Sequence, residues 1–354
     1  MTTSLRSDPS TTPSPRTHGA PAAPAASAET TMRAVVQDLY GGPSEWRLDR
    51  LDRPQPASDE VLVRVRAAGL DRGVWHLMTG KPYLIRVLGF GFRGPKGRVP
   101  GLDLAGIVEA VGADVTRFRV GDEVFGACSK TYAEFACAKE SELALKPASL
   151  GFEAASAVAT SACTALRGLR EVGRLEAGQR VLILGASGGV GSFAVQLAKH
   201  LGAVVTGVCS TSKLDLVRAL GADHVRDYTC EDVLASGERY DLILDIGGNR
   251  SLGALRGALT PRGTLVIAGG EEGDRWIGGV DRQLRAMATS PFISQSLRTY
   301  IAEPRQEELE LLANLFDTGA LTVALDRTFP LAEAADAMRY LEAGHARGKV
   351  AITI

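Results

Sequence analysis

The sequence predicts an α/β protein in two parts, a β-rich domain of short strands and a doubly wound parallel-sheet domain. Three observations predict it. Gly and Pro closely punctuate short strand-like runs in the first third of the chain. From about Phe152 onward, apolar strand-like and helix-like runs alternate. A glycine-rich turn, Gly185-Ala-Ser-Gly-Gly-Val-Gly191, sits where one such strand gives way to a helix.

The elements follow in order. Residues 1–31 are rich in Ser, Thr, Pro and Ala and lack an apolar signal core, which reads as a disordered tail. Met32–Gln37, the period-two run Glu60–Arg66, Ala105–Gly112 and Asp122–Phe125 read as strands of a small barrel-like unit. Phe152–Leu175 has helical spacing and little turn chemistry. Strands are then expected at Val181–Leu184, Val204–Val208, His224–Asp227, Leu242–Asp245 and Thr264–Ile267, with helices at Val190–Leu201 and Leu214–Leu220. Such alternation gives a parallel sheet with helices on both faces. Glu307–Phe316 is a further helix, and Lys349–Ile354 a final strand expected to return to the first domain. The expected limits are 32–156 together with 321–354 for one domain, and 157–320 for the other.

Bulk composition excludes several classes. Lys and Arg number 40 against 41 Asp and Glu, so no global field favours nucleic acid or an anionic membrane. No apolar run approaches the roughly 18 residues of a membrane helix. The five cysteines form no CxxC, which argues against a disulfide framework or structural zinc cluster and for a reducing cytosol.

The glycine turn carries the first functional signal. Between an apolar strand and a helix, it offers backbone N–H groups and a positive dipole end to a dinucleotide pyrophosphate. Gly188 and Gly189 would let that group approach the backbone, and Gly191 would let the helix pack tightly on the strand. The spacing is GxxGxxG rather than GxGxxG. An acid about 20 residues further on would hold the NAD ribose. Here the segment is Cys209-Ser-Thr-Ser-Lys213, without a carboxylate. Its hydroxyls and lysine suit the 2′-phosphate of NADPH. Ser212 is also placed to cap the next helix, and Asp215 reads as a solvated helix residue.

Further motifs complete a pattern: Gly69-Leu-Asp with Met78-Thr-Gly80, Pro100-Gly-Leu-Asp-Leu-Ala-Gly106, Phe118-Arg-Val-Gly-Asp-Glu-Val124 and Gly348-Lys-Val. With the glycine turn, the chain resembles the zinc-independent, quinone-oxidoreductase-like branch of the medium-chain dehydrogenase/reductase superfamily over about Met32–Ile354. The resemblance implies a GroES-like catalytic domain and a Rossmann domain, with the active site in the cleft between them. It implies that Ser187, Gly189, Val190 and Gly191 contact the pyrophosphate. Ser210 and Tyr228 match positions near the adenosine 2′-phosphate, with Lys213 as a charge partner. Ala268 and Gly269 match the segment beside the nicotinamide ribose, and Gly348 and Lys349 a stretch lining the same cleft.

Zinc enzymes of this superfamily carry ligands at positions that fall here at about Leu70–Asp71, at Leu102–Asp103 and near Thr160. Leu offers no lone pair, so two usual ligands are missing. Cys163 is out of register and reads as a small buried hydrophobe, and the five histidines are scattered. No metal is expected. Without zinc, the remaining chemistry is hydride delivery to a carbon that is already electron-poor, in a quinone or enone. Tyr83 resembles in position a tyrosine that donates the proton in related enoyl reductases, and packing in its loop is the alternative. Asp71 stands where the family usually has Asn, and is carried with Tyr83 as a catalytic candidate. His76 reads as a surface or packing residue, with a place facing the cleft as the alternative, and Lys81–Arg98 as a solvated basic loop, with a lid that recognises an anionic or long apolar substrate as the alternative.

The expected function is therefore NADPH-dependent reduction of quinones or enones. The alternatives are an enoyl-thioester reductase and a non-catalytic NADPH-binding redox sensor. Ile293–Ile301 resembles the family's last sheet strand, an edge whose pairing with a second copy would make a homodimer.

Overall fold

Period-two runs with one buried side fold as strands of the first part in the computed structural model, which describes residues 1–2, 30–248, 250–269 and 276–354. Most of the expected tail, residues 3–29, lies outside the described residues. Strand β1 (Thr31–Val36) pairs antiparallel with β2 (Arg47–Asp52). Strand β3 (Glu60–Leu70) is the centre of a larger sheet, and α1 (Arg72–Thr79) follows it directly. On β3 pair β4 (Asp103–Val111) and, over its first residues Glu60–Arg64, β6 (Phe135–Lys139). Beyond β4 lie β5 (Glu123–Ala127) and β7 (Leu143–Leu145).

The segment expected as one helix is broken into α2 (Phe152–Ala155), α3 (Ala159–Arg167) and a π turn over Gly168–Val172. Two contacts explain the break. The Thr160 N–H leaves the helical ladder and donates to the Asp103 carboxylate. Strand β3 also passes so close that a Cβ on Gly69 would stand 2.4 Å from the Ser156 carbonyl oxygen.

The second sheet contains β8 (Arg180–Leu184), β9 (Val204–Cys209), β10 (His224–Asp227), β11 (Tyr240–Asp245), β12 (Leu259–Ile267) and β13 (Ser296–Thr299). Its spatial order is β10-β9-β8-β11-β12-β13, and every pairing is parallel. Strand order reverses between β8 and β11, and the crevice beyond their carboxyl ends is where doubly wound sheets bind ligands. Helices α4 (Gly189–His200), α5 (Leu214–Ala219), α6 (Leu252–Gly257), α7 (Val280–Thr289) and α8 (Gln306–Asp317) alternate with these strands. A buried core containing Phe193, Leu197, Leu312 and Phe316 joins α4 and α8 to the sheet. The buried Arg167–Glu308 pair, 2.7 Å apart, ties α3 to α8.

The chain then returns. Strands β14 (Leu325–Pro330) and β15 (Lys349–Thr353) flank α9 (Ala334–Glu342), and β15 pairs antiparallel with β3. Helices α1, α6, α7 and α9 are elements that the sequence reading passed over.

Candidate active site at the domain junction

Gly185 leaves β8 at φ +87°, a turn that L side chains rarely adopt. Gly188 is the N-cap of α4 and supplies no side-chain cap, so the first-turn N–H groups face outward without one. A Cβ on Gly188 would meet only the Gly185 oxygen, at 3.5 Å. A Cβ on Gly191 would collide with that oxygen at 2.1 Å, so Gly191 is what seats α4 on the sheet. Ser187 is buried and Val190 half-buried.

Beneath the turn lies Lys349, the first residue of β15 and 1% exposed. Its Nζ donates to Ser161 Oγ at 2.7 Å, and a Cβ on Gly189 would stand 3.0 Å from its Cδ. Gly348, at φ +103°, lets the chain enter β15 against Ala324. The C-terminal strand thus delivers a cation to the glycine turn.

Ser210 and Tyr228 sit at the carboxyl ends of β9 and β10, half-buried and exposed respectively. Lys213 differs from the expectation of a phosphate partner alone. Its Nζ donates to the carbonyls of Gly344 and Ala346 at 2.8 and 2.7 Å, tying this loop to the C-terminal segment. Ser212 does not cap α5, whose N-cap position is Lys213 without a side-chain cap. Asp215 is paired with Arg347 at 2.6 Å rather than merely solvated. A carboxylate does stand at this end: Asp227, from β10, accepts from Thr211 Oγ1 at 2.5 Å. Bonds from Thr211 and Thr229 pull its pKa down to about 2. A search confined to the end of β9 misses it, because parallel pairing brings the neighbouring strand's end alongside.

Ala268 and Gly269 follow β12, and the Ala268 N–H donates to the Asp245 carbonyl. Asp245 is fully buried and pairs with Arg282 of α7 at 2.6 Å. The Tyr83 ring stands edge-on to Trp276, 5.2 Å between centroids, so the two domains meet there. The loop read as solvated is partly built in. Arg86 lies over the rings of Tyr40 and Tyr83 and donates to the carbonyls of Thr79 and Gly80. Arg98 pairs with Asp38. His76 Nδ1 lies 2.8 Å from the Lys81 carbonyl oxygen.

Asp71 caps α1, its Oδ1 accepting from the Val74 N–H at 3.1 Å, while its buried Oδ2 has no hydrogen-bond partner among the described residues. Nearby, Asp103 is fully buried at the start of β4 and accepts from Thr160 N and Oγ1. Burial first, then the Asp71 charge, push its pKa up to about 7, while Lys349 and Thr160 pull the other way. Leu102 and Thr160 line a cavity of about 690 Å³ that runs past Cys128 toward Glu303 and Gln306. Asp103, Thr160 and Ser161 are the site residues that sequence reasoning missed. The Leu102–Asp103 pair drew attention there only as a lost metal motif, and its own carboxylate was the available signal.

Comparison with known proteins fits this geometry. Residues 57–145 match the alcohol dehydrogenase GroES-like domain, and residues 220–352 a family described as zinc-binding dehydrogenase. Mouse mitochondrial NAD(P)H oxidoreductase RTN4IP1 is 34% identical, covering 92% of this chain and 90% of its own length. The chain belongs to the zinc-independent, quinone-oxidoreductase-like branch of the medium-chain dehydrogenase/reductase superfamily. An Arabidopsis thaliana chloroplastic NADPH-dependent alkenal/one oxidoreductase is 31% identical over 92% of this chain and 81% of that protein. The quinone oxidoreductase structure from Coxiella burnetii superposes with a TM-score of 0.78 at 28% identity, covering 92% of this chain and 99% of that one. The protein is accordingly an oxidoreductase that uses a nicotinamide cofactor.

The residues present fit that cofactor, because the open face of Gly188, the uncapped start of α4 and buried Lys349 form an anion cradle. They do not fit a zinc ion. Leu102 offers no donor, and Cys163 is sealed in the core, where burial raises its thiol pKa. Among the described residues no group of three or more His, Cys, Asp or Glu comes together. No helix among them is long and apolar enough to cross a membrane.

Proposed function

We propose that the protein is an NADPH-dependent reductase of quinones or other electron-poor alkenes that works without zinc. The observation that carries this reading is the cavity at the domain junction, lined by Leu102 and Thr160 at two positions where the family's zinc enzymes carry ligands. An acceptor there should already be electron-poor, since no group of three or more metal-ligating side chains comes together among the described residues, and a metal is what would polarise an alcohol or simple ketone.

In this reading the Ser187–Gly191 turn holds the pyrophosphate, with Lys349 beneath it. Ser210, Tyr228 and the third N–H of Lys213 meet the 2′-phosphate, while Ala268, Gly269 and Gly348 border the nicotinamide end. The nicotinamide, when bound, supplies a hydride. Asp71 fixes the start of α1, and Tyr83, packed on Trp276 where the domains meet, offers its phenol as a proton source. We assign 32–156 with 321–354 to the catalytic domain and 157–320 to the cofactor domain, in a cytosolic homodimer that takes a small-molecule substrate and neither nucleic acid nor membrane.

The test is a panel of quinones, 2-alkenals, 2-alkenones and enoyl thioesters, with NADPH and NADH each as donor and oxidation followed by absorbance. NADPH should be consumed with quinones or enones. Consumption with no acceptor on the panel would refute the assignment.

A further inference from the structure

Asp103 is 0% exposed and starts β4 at the domain junction. A carboxyl group in that position persists only if it is protonated or richly hydrogen-bonded. Both oxygens accept from the Thr160 backbone N–H, at 3.2 and 3.1 Å, and Oδ1 lies 2.5 Å from Thr160 Oγ1. The charged and titratable groups around it are Asp71 from the β3–α1 turn, Lys349 from β15, Tyr132 and Cys128 from the segment after β5, and Cys163 from α3. Solvent does not reach Asp103. Among the described residues, the side chain's hydrogen-bonded link to the 690 Å³ cavity is Thr160, which lines that cavity.

We propose that Thr160, backed by Asp103, delivers the proton to the oxygen of an acceptor bound in the cavity. The proposal rests on the reductase reading above. It gives the oxygen a donor of its own, distinct from the Tyr83 phenol.

A threonine hydroxyl has a single hydrogen. While Asp103 is protonated, Asp103 donates to Thr160 Oγ1, and the threonine hydrogen is free to point into the cavity. A hydride arriving on the acceptor carbon displaces a π pair onto the acceptor oxygen. The Thr160 O–H bond then breaks toward that oxygen as the Asp103 O–H bond breaks toward Thr160. The acceptor gains one hydride and one proton, Thr160 ends unchanged, and the Asp103 carboxylate is left facing Lys349. A quinone becomes a hydroxydienone that loses the added carbon's proton to its second oxygen and so rearranges to the hydroquinone, and an enone becomes an enol that rearranges to the ketone. Asp103 recovers a proton from water through the same hydroxyl once the product leaves.

The acid form of Asp103 is the working form, and burial with the Asp71 charge raises its pKa to about 7. Activity should therefore fall as pH rises through about 7.

Thr160→Val removes the hydroxyl and keeps the side-chain shape, Thr160→Ser keeps the hydroxyl, and Asp103→Asn keeps the size without the acid. Thr160→Val should lose about 10²–10⁴-fold in kcat/KM with quinone and enone alike, the usual general-acid effect, while Thr160→Ser stays within about tenfold. Asp103→Asn should lose the fall in rate near neutral pH. The Kd for NADPH, read by fluorescence, should stay near the parent value in all three. A readout without cofactor is infrared difference spectroscopy, in which a protonated-carboxyl band should titrate near neutral pH and vanish in Asp103→Asn. Parent-like kcat/KM in Thr160→Val with an active parent overturns the relay alone, as does absence of that band. A parent inactive with every acceptor overturns the reductase reading and the relay together. If Thr160→Val fails to fold, the infrared titration and the Thr160→Ser pH profile decide.

Discussion

Tyr83 stands with its ring edge-on to Trp276 and the Arg86 guanidinium 4.5 Å above it, a setting that Phe would preserve. Tyr83→Phe therefore isolates the hydroxyl. If the phenol protonates the α-carbon in enone reduction, kcat/KM for an enone should fall about 10²–10⁴-fold, while quinone reduction keeps most of its rate. Parity with the parent on enones would make Tyr83 a packing residue. Ser210 separates the cofactors. Ser210→Asp adds a second carboxylate near Asp227 and should weaken NADPH binding by about tenfold or more, roughly 1.4 kcal/mol, and erase any preference over NADH. Titration of both cofactors checks this, and unchanged affinities would remove Ser210 from the phosphate site. Asp103 has a folded pKa raised to about 7 from an ordinary 3.8. Between those values the unfolded chain has lost a proton that the native state keeps. Stability should therefore fall as pH rises across that window and level off above it. Denaturant midpoints at pH 5 and 8 should differ more for the parent than for Asp103→Asn.

At the scale of elements, the glycine turn combines two spatial demands that substitution can separate. Gly191 has the Gly185 oxygen 2.1 Å from where a Cβ would sit, so Gly191→Ala must push α4 off β8 and should lower Tm as well as cofactor affinity. Gly188 has open space and an ordinary φ of −85°, so Gly188→Ala should leave Tm near the parent while its methyl blocks the cofactor. Thermal melts with fluorescence titration check the pair, and a large Tm loss in Gly188→Ala would contradict the open face. The broken helix at α2–α3 belongs here as well. Helical spacing was visible over residues 152–175, but the break depends on Asp103, far away in sequence, capturing the Thr160 N–H.

Over the whole molecule, β13 is an edge of the six-stranded sheet, hydrogen-bonded to β12 alone. Around it Leu284, Met287, Phe292 and Ile301 are exposed apolar residues. Pairing two such edges would cover these side chains and the unpaired backbone groups together. Sedimentation at micromolar concentration should give twice the 37.3 kDa chain mass, and a monomer would refute the dimer. Chelation should leave activity intact, with less than one zinc per chain by elemental analysis, and a tightly bound zinc required for turnover would overturn the metal-free reading.

The sequence by itself determined the fold class, the parallel-sheet series and the glycine turn, because strand and helix periodicity and a strand–turn–helix motif are local properties. It determined equally that Leu102 cannot bind a metal. Only the tertiary structure decided what lies around these motifs. Lys213 bonds to the C-terminal carbonyls, Asp227 reaches the adenosine end from β10, and Lys349 lies beneath Gly189. Asp103 became a buried acid because β3, β4, α3 and β15 converge on it from four separate stretches of chain. Burial and hydrogen bonding across such distances come from packing, which no local pattern of residues encodes.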